Sequence, residues 1–106
     1  MPKYMLIGSY TKEGAKGVLK EGGSSRREAA QAAIASAGGT LEAYYFGFGA
    51  DDFYVTADFP SHAAAAAAAL TVGATGTSNT RTVVLLTPEE LDAASNMSVD
   101  FRPPGG

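Results

Sequence analysis

The stretch "EAYYFGFGADDFYVTADF", residues 42–59, decides how the rest of the chain is read. Two runs rich in aromatic and strand-forming residues flank Gly49-Ala50-Asp51-Asp52, and such runs around a turn predict an antiparallel hairpin. The strands are expected over 40–48 and 52–59, with Gly49 taking the positive φ that a short loop needs. Side chains alternate across a strand, so Phe53, Val55, Ala57 and Phe59 fall on one face and Tyr54, Thr56 and Asp58 on the other.

Upstream, "KYMLIGSY" (3–10) is rich in strand formers and bounded by Pro2 and by Thr11-Lys12-Glu13-Gly14, which predicts a first strand. Gly14, Gly17, Gly22 and Gly23 each weaken a helix by about 1 kcal/mol relative to Ala, leaving room for at most a short or irregular helix before Gly22. Ser25 and Glu28 have capping-box spacing, so a helix is expected over 25–37, stopped by Gly38-Gly39. Downstream, Ser61 caps a helix carried by Ala63 to Ala69, with Gly73 and Gly76 ending it. "NTRTVVLL" (79–86) is a fourth strand, Thr87-Pro88 opens a short helix, and "NMSVDFRPPGG" (96–106) is a tail.

The order β-α-β-β-α-β predicts an α+β, ferredoxin-like fold: a four-stranded antiparallel sheet with both helices on one face. The chain divides into one domain over 1–95 and a C-terminal tail over 96–106. Apolar or aromatic residues occupy both faces of three strands, because Met5 and Ile7 oppose Tyr4 and Leu6, Ala43 and Tyr45 oppose Tyr44 and Phe46, and Val83 and Leu85 oppose Val84 and Leu86. A sheet face without helices would then expose more apolar surface than a monomer usually carries. A second copy closing face to face into a dimeric α/β barrel would cover it. The other available cover is the tail over 96–104, folded back on the same face.

The run "GGTLEAYYFGFGADDFYVTADFP", with "GSYTKEGAKGVLKEGGSSRREAA" before it and "TRTVVLLTPEELDAA" after it, resembles the GYD-domain proteins, small bacterial proteins of the dimeric α/β-barrel group. The resemblance runs from about residue 3 to about residue 95 and implies dimerisation. It supplies no reaction. The family's Gly-Tyr-Asp signature falls on Gly49-Ala50-Asp51-Asp52, which keeps the glycine and an aspartate but has no tyrosine, so any chemistry of that tyrosine is not available there.

Composition narrows the function classes. The chain has 106 residues, 45% hydrophobic and 18% charged, enough for one self-sufficient core. With no cysteine, thiolate chemistry and disulfides are excluded. The net charge of −3 argues against nucleic acid as a partner, and Arg26-Arg27, the one basic pair, reads as a solvated helix face. No leader peptide and no membrane segment are expected, which points to a cytoplasmic protein with no membrane partner. One histidine and scattered acids do not make a metal site, and no phosphate loop or nucleophile elbow occurs, so no cofactor is expected.

Asp51 and Asp52 are read first as turn residues that bond nearby backbone, and second as a carboxylate pair. His62 is read as an exposed residue at a helix start. The candidate ligand-binding residues are Ser9, Tyr45, Asp52, Tyr54, Thr56, Asp58 and Arg81, most of them polar groups on the sheet face that would line a barrel; within a dimer, Asp58 and Arg81 are candidates to pair across the interface. Two functions are carried: a homodimeric small-molecule-binding or regulatory module, and a cofactor-free oxygenase or isomerase whose site would bring Asp58, Tyr54 or His62 together. A purely structural subunit would instead have a filled interior.

Overall fold

A computed structural model describes all residues, Met1–Gly106. Eight elements follow one another: β1 (Lys3–Tyr10), α1 (Lys12–Glu21), α2 (Gly23–Ser36), β2 (Thr40–Phe46), β3 (Phe53–Asp58), α3 (His62–Ala74), β4 (Ser78–Leu85) and α4 (Pro88–Ser95). The strands form one antiparallel sheet in the order β2-β3-β1-β4. The fold is therefore α+β, with a four-stranded antiparallel sheet and four helices.

Two helical expectations are corrected. Before Gly22 stands a regular ten-residue helix, α1, capped by the Thr11 hydroxyl accepting from the Gly14 N–H. Gly14 costs helix propensity but permits packing, because a Cβ there would lie 1.9 Å from the Thr77 carbonyl oxygen. The Ser25–Glu28 capping box does not form. Gly22, at φ 82°, turns the chain tightly enough for α2 to begin at Gly23, which leaves Ser25 inside the helix. The capping box lies instead at Thr87 and Glu90 of α4.

The hairpin is present with shorter strands. Gly47 N–H donates to the Asp52 carbonyl across a loop over 47–52, and Gly49 does not adopt a positive φ. The longer loop removes the demand for a left-handed residue.

Cross-strand register makes the two sheet faces explicit. One face carries the rows Leu41–Ala57–Tyr4–Val84 and Tyr44–Val55–Leu6–Thr82, and the other carries Ala43–Thr56–Met5–Val83 and Tyr45–Tyr54–Ile7–Arg81. The core lies under the helices and consists of Tyr4, Leu6, Ile34, Phe53, Val55, Ala57, Phe59 and Ala65. Each such side chain, when large and fully buried, contributes about 1.5–3 kcal/mol. Only 12 of 106 residues are buried, so much apolar surface stays outside this core.

The tail does not fold back over the open sheet face. Every residue from 86 to 106 is exposed, and the chain extends to 55 Å along its longest axis against 22 Å along its shortest.

Candidate functional site

Helix α2 packs over β2 and α3 over β4, rather than one helix on the other. Their facing sides are built from alanines, whose methyl groups are too short to close the gap. A cleft of about 120 Å³ results, floored by Leu6, Phe53 and Val55 and walled by Ala30, Ile34 and Ala68. For scale, an engineered apolar cavity of about 150 Å³ in another protein accepts benzene. This cleft is thus the size of one small ring.

Polar groups converge at one end of the cleft. The hydroxyls of Tyr10 and Tyr44 lie 3.5 Å apart, at the outer limit of a hydrogen bond, while the Tyr44 ring stacks at 6.5 Å on Phe53 and Tyr10 packs at 5.2 Å against the same ring. Burial, and then the Tyr10 hydroxyl beside it, push the Tyr44 phenol well above its ordinary pKa, so it stays a neutral donor. Arg26 also lines the cleft, where its Nη1 donates to Glu21 Oε1 at 3.1 Å. Arg27 is exposed, as expected for a solvated helix face, while Arg26 is half-buried and shares that face with the rim of the cleft.

The candidates named from sequence stand elsewhere. Tyr45, Tyr54, Thr56, Asp58, Ser9 and Arg81 occupy the open sheet face, on the side away from the cleft. Lys3 pairs with Asp58 at 3.2 Å and with Glu42, and these partners, the Glu42 hydrogen bond foremost, raise the lysine's pKa. Glu42 reaches this face because the β2–β3 register shifts between Leu41 and Ala43, and it also accepts from the Thr56 hydroxyl at 3.3 Å. Within the chain Arg81 pairs with Asp51 at 3.1 Å, not with Asp58. Ser9 lies opposite Asn79.

Asp51 and Asp52 do not act as a carboxylate pair. While Asp51 holds Arg81, the Asp52 carboxylate accepts from the Tyr10 N–H at 2.8 Å and closes the end of β1. This bond goes to backbone distant in sequence, not to the local turn. His62 begins α3, as expected, but its Nδ1 lies 2.6 Å from the hydroxyl of Tyr4, a partner that sequence reasoning missed. Asp58, Tyr54 and His62 do not come together, since the first two face away from the side of the sheet that holds Tyr4 and His62.

Strand parity was the one signal for the cleft: it places Tyr4, Tyr10 and Tyr44 on the face of Phe53 and Val55. No spacing rule brings Arg26 to that face. No group of three or more His, Asp or Glu side chains comes together to hold a metal, and no helix is long and apolar enough to cross a membrane.

An antiparallel α+β sheet with a small apolar cleft beneath two helices defines the structural class. The chain belongs to the GYD-domain family, whose model matches residues 4–95. No curated protein and no solved structure matches it.

Proposed function

We propose that this chain is a homodimeric small-molecule-binding module on a ferredoxin-like scaffold, with its ligand in the cleft between α2 and α3. The observation that carries the binding function is the cleft itself, an apolar space lined by two phenol hydroxyls and a guanidinium. Apolar walls with a few convergent polar groups are the usual character of a small-molecule site. The ligand class that fits is a single ring or short chain bearing one acceptor group for Tyr10, Tyr44 or Arg26.

The scaffold reading is supported by the strand order and by α2 and α3 acting as the two crossover helices; α1 and α4 are additions to it. The dimer reading is supported by the open sheet face, where Met5, Tyr45, Tyr54, Val83 and Leu85 have no helix over them. A second sheet closing there would place Ser9, Thr56, Asp58 and Arg81 at or near the interface and complete a dimeric α/β barrel. Catalysis without a cofactor draws no comparable support, because the cleft holds two phenols and an arginine but neither a carboxylate nor an imidazole.

Backbone amide NMR during titration with toluene and with benzoate tests the site. Shifts at Leu6, Phe53 and Val55 that disappear in Ala30→Leu, which fills the cleft, are expected. No shifts up to the solubility of either probe, or shifts that persist in Ala30→Leu, would overturn it.

A further inference from the structure

We propose that residues 86–106 form an arm that docks on a second copy of this chain. The proposal rests on the dimer advanced above and adds a contact beyond the facing sheets.

The arm has the chemistry of a buried segment and the surroundings of an exposed one. Leu86, Leu91, Met97, Val99 and Phe101 are each between 59% and 81% exposed, a density of large apolar side chains that scattered surface residues do not reach. Helix α4 is fully formed, with a capping box and Pro88 at its start, yet it has only eight residues and none of them is buried. Isolated helices this short are marginal in water and draw most of their stability from packing. Nothing within the chain supplies that packing.

Three observations select a second copy as the occupant. The radius of gyration is 16.8 Å, against about 13 Å for a compact domain of this length, so the arm stands off its own body rather than lying in a groove of it. The arm leaves from the end of β4, whose Val83 and Leu85 already belong to the open sheet face, so it continues the surface assigned to the dimer. Its charge also fits. Glu89, Glu90, Asp92 and Asp100 against the single Arg102 give the arm the chain's whole net charge of −3, leaving residues 1–85 neutral. On that neutral body Lys12, Lys16 and Lys20 form a row along α1 with no ion pair inside the chain. Helix residues three and four apart share a face, so the row, with Glu13 beside it, presents a net basic stripe to an acidic helix from outside.

Reach is sufficient. α4 spans about 12 Å and the eleven residues after it up to about 36 Å, enough to run the length of an eight-residue strand at about 26 Å.

Sedimentation equilibrium on the full chain and on Leu91→Glu/Met97→Glu/Phe101→Glu, with isotope-filtered NOE spectra of mixed labelled and unlabelled protein, tests the proposal. The substituted side chains are exposed in the single chain, so the variant should keep its fold. A dimer whose Kd rises at least about ten-fold in the variant is expected, together with NOEs from the Leu91 and Met97 methyls to the other copy. A full chain that stays monomeric sinks the dimer and the arm together. A dimer of unchanged Kd in the variant, or arm NOEs confined to the same chain, overturns the arm alone.

Discussion

The Tyr4 hydroxyl and His62 Nδ1 lie 2.6 Å apart, joining the start of β1 to the first residue of α3. Tyr4 is 2% exposed, and its ring also meets Phe59 and the imidazole edge-on, so its hydroxyl sits in the core with the histidine as its polar partner. His62→Ala should therefore cost about 1–3 kcal/mol by stranding that hydroxyl, and Tyr4→Phe about 1 kcal/mol. The double variant should cost less than the two single changes together. Urea denaturation of the four proteins measures the coupling, and strict additivity would mean that the contact contributes nothing.

Asp52 predicts a local effect at the opposite end of β1. Its carboxylate accepts from the Tyr10 N–H while its own N–H donates to the Gly8 carbonyl at 2.7 Å. Asp52→Ala removes the first bond and keeps the second, so a loss of about 1–3 kcal/mol is expected, with faster hydrogen exchange at Tyr10. Asp52→Asn retains an acceptor and should lose less. Unchanged exchange at Tyr10 in the alanine variant would contradict this account.

Two glycines of one helix should respond in opposite directions. A Cβ at Gly14 would lie 1.9 Å from the backbone oxygen of Thr77, just before β4, and that backbone cannot swing aside as a side chain would, so Gly14→Ala should destabilise by about 1–3 kcal/mol. Gly17 faces open space, and Gly17→Ala should stabilise by up to about 1 kcal/mol through helix propensity. Thermal melts of both variants check the pair.

Tyr44 sets an alkaline limit. Its folded pKa is raised, so the folded chain holds this proton more tightly than the unfolded chain. The stabilisation is present in full below the ordinary tyrosine value of 10.0 and is lost as pH rises above it toward the folded value. Urea midpoints should fall as the pH passes 10.0 in the native protein and fall less steeply in Tyr44→Phe. Equal slopes would mean that Tyr44 takes no part in the alkaline loss.

The sequence by itself determined the strands, the helix carried by Ala63 to Ala69, and the two-faced character of the sheet, since period-two alternation and intrinsic propensity are local properties written into neighbouring residues. Residues 12–21 escaped that logic. Gly14 and Gly17 inside it, and Gly22-Gly23 just after it, argue against helix locally, and only contact with Thr77, some sixty residues away, shows why Gly14 belongs in one. The cleft was legible only in part: parity separates Tyr44 from Tyr45, but which face the helices cover, and the gap beneath α2 and α3, depend on where alanine-lined helices come to rest on the sheet, and that brings Arg26 to a place no spacing rule names. The partners of Asp51, Asp52 and His62 likewise came from the tertiary structure, because 30, 42 and 58 residues separate each from the group it holds. Side chains that distant meet through strand order and register, which no local pattern encodes.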